Sequence, residues 1–468
     1  MRIVQTFWTA GRDPLKYSFG WTHPEYNLMS WALSCLSLRE HYDEVALYTD
    51  QEGYDVLINK LHLPYTEVNV VYDKNLCFPH HWAYAKIKTY SMQTKPFIHV
   101  DGDVYLPHPI PEDIANAPLI AQNREIGTHY YRSMIDRLLS YPEIILPEYI
   151  QRGLAEQSVA SYNMGLFGGS DLDFVKRYCQ EVEDFLSLNG MNNLSERVSR
   201  IDCNVFFEQI LFAVFADSEK REVTTLLERP IQDKGYKASD FCILRNYMGN
   251  QFFHILGGHK RNAEVVKMLR HLFATKYPNL FVTIYKLMKD GKQFKMPVLP
   301  AMLKPLDDTV IRFFEFVERQ VKEWSEMNVD SYLEYEASFA GFISFEPDDE
   351  NVTFRYNPYL CMYTFPDEKA DGIKILHRWL RCEEHFPLKT VAILPVLIAD
   401  GYEIEPLLPI DIEILEVIRH GVFNINNIIK QIFRIRNTDE ARSSYLISYI
   451  KEEVNRLVKR EIIIVTKN

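Results

Sequence analysis

Two aspartates separated by one glycine follow a short apolar run, Phe97 to Val100, that begins after Pro96. The apolar run predicts a buried strand, and this strand would carry Asp101 and Asp103 at its carboxyl end. In α/β proteins, ligands bind in the crevice outside these strand ends. Carboxylate oxygens are hard ligands that suit Mn²⁺ or Mg²⁺, ions that proteins commonly share with substrate phosphates. The segment therefore predicts a divalent metal site.

The Asp-x-Asp pattern alone is weak, because about one or two matches are expected by chance in so acidic a chain. A second match, Asp171-Leu172-Asp173, stands at a predicted helix start, where aspartate favours the helix N-terminus. We interpret that second match as a helix cap. By itself the first match is equally consistent with an ordinary acidic turn, so its interpretation depends on other residues.

A second pattern, His254-x-x-Gly257-x-x-Lys260, is far rarer by chance. Its imidazole could serve as a third metal ligand beside two carboxylates. Gly257 and Gly258 would let backbone N–H groups approach a phosphate closely, and Lys260 would add positive charge there. The alternative is an ordinary turn with a half-buried histidine.

The elements that must position these residues alternate between strand and helix. This order predicts a mostly parallel sheet with helices on both faces, hence an α/β fold. Strands are predicted at 3–8, 44–49, 66–71, 97–100, 119–122, 161–169, 224–227 and 252–258, and helices at 25–39, 53–61, 82–93, 171–188 and 203–215.

At these positions the chain resembles family 8 glycosyltransferases and their relatives of the GT-A fold. The resemblance covers about residues 1–262 and is carried by four elements in the family's order. They are Asp101-Gly102-Asp103, Asn163-Met164-Gly165, Glu208-Gln209 and His254-x-x-Gly257-x-x-Lys260. Tyr84-Ala85-Lys86 is similar to the family's Tyr-Ala-Arg segment.

The resemblance implies a nucleotide-sugar donor, usually a uridine diphosphate sugar, with Mn²⁺ (or Mg²⁺) bridging its diphosphate, and a retaining transfer. It implies ligation by Asp101, Asp103 and His254, and phosphate contacts from Lys260 and the amides of Gly257 and Gly258. Asp101 and Lys86 would also meet the donor, and Gln5, Thr6 and Trp8 would line the nucleoside pocket. Glu208, Gln209 and Asn163 would lie beside the reacting sugar as catalytic residues.

Three positions depart from the family pattern. Glu208 stands where the family usually has Asp, Arg261-Asn262 stands where it has Pro-Trp, and Lys86 stands where it has Arg. Lysine and arginine are not equivalent at a bidentate site. These departures bear on family membership and on the stereochemical outcome.

The chain beyond residue 262 has a different texture. We expect an accessory region with helices and strands over 263–395, with helices at 263–276 and 308–327 and strands at 338–345 and 352–356. Helices at 410–420, 425–433 and 443–460 and a strand at 461–466 predict a winged-helix-like module over 396–468. This module weakly resembles domains that bind leader peptides, although a structural cap or a dimerisation domain is an equal alternative. Balanced charges in this segment disfavour DNA binding.

Composition limits the function classes. A formal net charge of −12 over 468 residues argues against a general nucleic-acid or anionic-membrane binder. The seven cysteines include no CxxC pair, which predicts buried thiols rather than zinc ligands or disulfides. No signal peptide or membrane span is predicted, so we expect a cytoplasmic protein.

Three functions fit these observations. The first is a glycosyltransferase acting on a sugar, peptide or protein acceptor. The second is a non-catalytic binding protein on a degenerate GT-A scaffold, and the third is a metal-dependent nucleotidyltransferase. Homo-oligomerisation through the C-terminal region is compatible with each of them.

Overall fold

The chain forms two compact units, Met1–Val266 and Lys267–Asn468. The sequence-predicted division of the C-terminal part near residue 395 stays a prediction. A computed structural model describes residues 1–127, 129–154, 159–191, 203–232, 241–289, 308–326, 328–339, 351–366, 373–374, 376–377, 380, 388–396, 401–421, 423–438 and 443–467. Most of the predicted strand at 338–345 lies outside these residues.

The first unit is built on an eight-stranded mixed sheet flanked by helices, as the alternating pattern predicts. The order is β3-β2-β1-β4-β7-β6-β8, and β9 also pairs with β6. The first four strands are mutually parallel, and β7 runs antiparallel to both of its neighbours. The strands of this unit are β1 (Arg2–Phe7), β2 (Val45–Thr49), β3 (Glu67–Val70), β4 (Phe97–Val100), β5 (Val104–Tyr105), β6 (Ile120–Ile126), β7 (Ala160–Gly169), β8 (Thr224–Thr225), β9 (Ile231–Gln232) and β10 (Phe253–His254).

The centre of the sheet explains where the acidic pair lies. β1 and β4 are adjacent and parallel, with Ile3 opposite Ile98. All four residues of β4 are buried, because helices cover both faces of a mostly parallel sheet. The carboxyl ends of β1 and β4 therefore meet at one edge, and Asp101 follows β4 directly.

A small second sheet joins distant parts of the chain at that edge. β5, which follows the acidic pair, runs antiparallel to β10, with Val104 opposite His254 and Tyr105 opposite Phe253. The backbone N–H of Ile255 also donates to the carbonyl of Asp103 at 3.0 Å. This pairing places His254 beside Asp103.

The helices follow the predicted order with shifted ends. The predicted helix at 53–61 begins as an α-helix and continues as a π-helix at Asp55–Lys60, and the predicted helix at 203–215 includes a π-helix at Phe206–Ile210. The α-helices are α1 (Pro24–Arg39), α2 (Gln51–Tyr54), α3 (Ala83–Ser91), α4 (Glu112–Ala115), α5 (His129–Leu139), α6 (Glu148–Leu154), α7 (Leu172–Leu188), α8 (Leu211–Ser218), α9 (Ala263–Lys276), α10 (Pro278–Lys289), α11 (Asp308–Ser325), α12 (Val329–Ala337), α13 (Pro409–Ile418), α14 (Ile425–Arg436) and α15 (Ser444–Lys459).

The described residues of the second unit form two antiparallel sheets. One joins β12 (Cys361–Thr364), β13 (Thr390–Val396) and β14 (Gly401–Leu407), and the other joins β11 (Val352–Tyr356) and β15 (Ile463–Lys467). The predicted order of three helices and a strand is present as α13, α14, α15 and β15. Its identification as a winged-helix module stays a prediction.

Six cysteines are described, and all are free thiols, five of them buried. Cys382 lies outside the described residues. Within the described part of the chain, no helix combines the length and the hydrophobicity needed to cross a membrane.

Candidate metal centre

Asp101, Asp103 and His254 lie together at the carboxyl edge of the sheet. One ligand atom from each of the three lies within 4.8 Å of the others. Two carboxylate oxygens and one imidazole nitrogen form a donor set that suits Mn²⁺ and other divalent ions of intermediate hardness. The structure thus brings together the residues that the two sequence patterns pair.

The His254 ring is oriented as a metal ligand requires. Its Nδ1 lies 2.6 Å from Oε1 of Gln122, and its Nε2 lies 3.5 Å from Oδ1 of Asp103. Because the amide oxygen can only accept, Nδ1 carries the proton and the Nε2 lone pair faces the carboxylate. Metal-bound histidines commonly donate their other ring N–H in this way. The residues present therefore fit a divalent ion.

Two glycines give the centre its close packing. A Cβ on Gly102, between the aspartates, would lie 2.4 Å from the Trp31 ring. A Cβ on Gly165 would lie 2.4 Å from Oε1 of Gln122 and 2.5 Å from the His254 ring. Glycine is thus required at both positions by close approach, which explains two residues of the sequence patterns.

Lys86 lies between two carboxylates behind the centre. Its Nζ is 2.9 Å from Oδ1 of Asp101 and also pairs with the fully buried Glu208. Burial alone would lower the pKa of Lys86, but Asp101 and Glu208 together raise it above its usual value. Burial raises the pKa of Glu208, while Lys86 opposes that shift. Lys86 is therefore a permanent cation.

Lys260 balances the second aspartate. Its Nζ lies 2.6 Å from Oδ2 of Asp103, and its side chain is partly exposed. Burial by itself would raise the pKa of Asp103, but the ammonium group of Lys260 beside it holds that pKa well below its usual range. Asp103 is therefore ionised at neutral pH, as a metal ligand must be.

A cleft of about 630 Å³ opens beside the acidic pair. Its walls are rich in aromatic rings, and its basic side chains are Arg12, Lys86, Lys260 and Arg261. Aromatic faces are suited to stack on a base or a sugar, and the cations are suited to anionic groups. The aromatic lining residues are Phe7, Trp8, Tyr17, Phe19, Trp21, Trp31 and Trp82.

Most of the predicted donor-binding residues line this cleft. Thr6, Trp8, Lys86, Asp101, Asp103, Gly257 and Lys260 are among its lining residues.

Gln5 and Gly258 are not part of that lining. Gln5 is fully buried, where its side chain donates to Ser34 and accepts from Tyr65. Gln5 therefore stabilises the end of β1 through buried hydrogen bonds.

The predicted catalytic residues also lie outside the lining of the cleft. Glu208 is behind Lys86, and Gln209 accepts a hydrogen bond from Tyr131. Asn163 accepts from the backbone N–H of Gly165 and donates to Glu125. In this structure the three residues contact other protein groups, and their implied place beside the reacting sugar stays a prediction.

Sequence reasoning missed several residues at the site. Arg12, which stacks over Tyr17 at 4.2 Å, belongs to the segment after β1. The rule that ligands bind beyond strand ends would have marked this segment. Trp31 and Gln122 carried no comparable signal, because their importance comes from contacts across the fold.

The second Asp-x-Asp pattern is a helix cap, as predicted. Asp171 is the N-cap of α7, and its carboxylate accepts from the backbone N–H of Phe174 at 3.0 Å. It also pairs with Arg221. This aspartate is a natural control for the metal-site hypothesis.

The chain belongs to a family described as a family of unknown function (DUF6734), whose sequence model matches residues 1–287. No curated protein matches the chain.

Proposed function

We propose that this member of the DUF6734 family is a metal-dependent glycosyltransferase that uses a nucleotide-diphosphate sugar, with uridine diphosphate sugars as the first candidates. The observation that supports it best is the cluster of Asp101, Asp103 and His254 beside an aromatic cleft that also contains basic residues. Carboxylates beside cations are suited to a metal–diphosphate complex, and the rings are suited to a base and a sugar. The mixed α/β sheet is compatible with a GT-A fold.

Asp101, Asp103 and His254 would hold the ion. When bound, Mn²⁺ or Mg²⁺ supplies positive charge that stabilises a departing diphosphate. Lys260 lies at the mouth of the centre, where its Nζ can exchange Asp103 for a phosphate oxygen. Trp8 and Thr6 line the cleft at the end of β1, and in the proposal they contact the nucleoside.

Carboxylates next to the cleft fix the position of the Lys86 ammonium group. Glu208 and Asp101 hold the Lys86 ammonium group between them, and in the proposal this fixed cation contacts the donor. A preorganised charge of this kind stabilises developing negative charge without reorganisation. Asn163 and Gln209 contribute through the buried polar groups around Glu125 and Tyr131. A retaining outcome and a direct catalytic role for Glu208 belong to the proposal as implications of the family resemblance.

For the C-terminal unit we propose recruitment of a peptide or protein acceptor. The three helices α13, α14 and α15 and the strand β15 are compatible with the predicted winged-helix-like module. Sheet edges in such modules can bind an extended peptide as an added strand.

The test is hydrolysis or transfer from a panel of nucleotide sugars, with Mn²⁺ and with a chelator. We expect a nucleoside diphosphate product that depends on the ion, and loss of about 10³-fold in rate for Asp103→Asn. Asp171→Asn, which preserves a helix cap, is the matched control and should retain full activity.

Three outcomes would contradict the proposal. Release of pyrophosphate would indicate a nucleotidyltransferase. Donor binding without cleavage would indicate a binding protein. Equal rates for wild type and Asp103→Asn would remove the metal centre from the reaction. Mass spectrometry of nucleotides that copurify with the protein would identify the donor class independently.

A further inference from the structure

We infer that Glu125 is a positioning residue for His254 and that it acts through a buried chain of hydrogen bonds formed by the Gln122 and Asn123 side chains. The inference rests on the proposed metal centre and deepens it. None of these three residues was identified by its sequence pattern. The consequence is a metal affinity that depends on a carboxylate remote from the ligands.

The hydrogen bonds from His254 to Gln122 and from Gln122 to Asn123 have a defined direction. Nε2 of Gln122 donates to Oδ1 of Asn123 at 3.1 Å, so Oε1 of Gln122 is the atom facing His254. Nδ1 of His254 must therefore donate to Gln122. Gln122 and Asn123 are fully buried, and His254 is 4% exposed. Water does not compete for these bonds, so the direction is kept.

This series of hydrogen bonds ends at the side-chain carboxylate of Glu125. Glu125 accepts hydrogen bonds from the side-chain amides of Asn123 and Asn163, whereas Tyr131 donates its single hydroxyl proton to Gln209. An ionised carboxylate has acceptors only. Every hydrogen bond from His254 through Gln122 and Asn123 to Glu125 thus donates toward the same end, and hydrogen bonds aligned in this way polarise one another.

A β-bulge in β6 makes this series of hydrogen bonds possible. Neighbouring side chains of a regular strand point to opposite faces, which would separate Gln122 from Asn123. The pairing of β6 with β7 shifts register between Ala121 and Asn123. Bulges next to functional sites re-aim side chains in this way. Here the bulge turns Gln122 toward His254 and leaves it in contact with Asn123.

The charge of Glu125 also bears on His254. Burial raises the pKa of Glu125 to about 7, against the opposing effects of Asn163 and Asn123. An anionic end pulls the Nδ1 proton of His254 toward Gln122 and makes Nε2 a stronger donor to a metal.

The test is Mn²⁺ binding to the full chain without any sugar donor, measured by electron paramagnetic resonance at about pH 8, where most Glu125 is ionised. We expect Glu125→Gln to weaken binding by about tenfold, at the lower end of the effects seen for outer-shell partners. Glu183→Gln is the matched control, because Glu183 accepts a hydrogen bond from Tyr84 at 2.7 Å but takes no part in the series of hydrogen bonds from His254 to Glu125. The control should stay within about twofold of wild type.

A second readout reports the mechanism. The ¹⁵N shifts of His254, assigned with His254→Gln, should show a proton on Nδ1 that shifts in Glu125→Gln and not in Glu183→Gln. Unchanged Mn²⁺ affinity in folded Glu125→Gln would overturn the inference. If Glu125→Gln does not fold, Asn123→Ala is the second variant, because it interrupts the series of hydrogen bonds between Gln122 and Glu125. This variant should weaken Mn²⁺ binding equally. Normal Mn²⁺ binding would again overturn the inference.

The two proposals fail separately. A protein that binds Mn²⁺ with the expected dependence on Glu125 but cleaves no donor would contradict the glycosyltransferase proposal alone. If wild type binds no Mn²⁺, the metal proposal fails, and the ¹⁵N shifts still decide whether Glu125 controls the His254 tautomer.

Discussion

Each unit contains a cluster of charged side chains, and the two clusters differ in their access to solvent. In the first unit, the Asp101 and Asp103 side chains are 21% and 13% exposed and line the cleft. In the second unit, Arg270, Glu336 and Glu461 are at most 1% exposed. Similar residue types thus occur in two settings, and access to solvent distinguishes a candidate site from a structural network.

The histidines show the difference most clearly. His254 uses one nitrogen to donate to an amide oxygen and turns the other toward the cleft-lining aspartate. His271 has a carboxylate at each nitrogen, Glu336 at 3.0 Å and Glu461 at 2.7 Å. Burial would lower the pKa of His271, but the two carboxylates raise it. His271 is therefore a cation in an ion-pair network, whereas His254 has the geometry of a metal ligand.

The largest predicted effect is in the second unit. Arg270→Met removes the guanidinium that donates to both Glu336 and Glu461. We expect a loss of about 3–5 kcal/mol in the free energy of unfolding, because buried carboxylates lose their partner. Denaturant titration measures the loss, and Mn²⁺ affinity should not change. A folded Arg270→Met protein with impaired Mn²⁺ binding would contradict the separation of the two clusters.

The next effect concerns the packing of the metal centre. Gly165→Ala places a methyl group against the His254 ring and Gln122. We expect Mn²⁺ affinity to fall by about 10–100-fold, as for other losses of ligand orientation. Gly258→Ala is the control, because a Cβ there meets no atom within 4 Å. Calorimetric titration of both variants tests this, and equal affinities would show that the His254 position does not matter.

A smaller effect is predicted for Lys260→Ala. The lysine pairs with Asp103 but is also placed for a phosphate. Nucleoside diphosphate affinity should fall about tenfold with loss of a charge-assisted hydrogen bond. Mn²⁺ alone should bind no more weakly than to wild type, because a competitor for Asp103 is gone. Lys88→Ala, which removes a comparable pair with Glu183, serves as control. Weakened Mn²⁺ binding would show that Lys260 supports the centre instead.

The smallest effect is the pH dependence of stability in the second unit. Because the pKa of His271 is raised above 6.5 in the folded state, its contribution is complete below about pH 6.5 and is lost as pH rises through the folded value. Melting temperatures should therefore decline on the alkaline side. The decline should persist in His254→Gln and disappear in His271→Gln. A decline that persists in His271→Gln would assign it to other groups.

Much of the first unit followed from local patterns. The apolar run before Asp101 predicted β4, and the alternation of strands and helices predicted a mostly parallel sheet. The helix cap at Asp171 was also readable, because capping depends on residues only a few positions apart. Helix ends and the π-helical segments were not, since packing determines them.

The amino-acid sequence by itself determined the candidate ligands, the order of the elements and the acidic character of the chain. These depend on residue type and on short spacings. Only the tertiary structure decided that Glu208 lies behind Lys86, that Gln122 orients His254, and that aromatic rings from the segment after β1 form the cleft. Those relations depend on strand order, on the β5–β10 pairing and on one bulge in β6. They join residues more than a hundred positions apart, where short-range pattern carries no information.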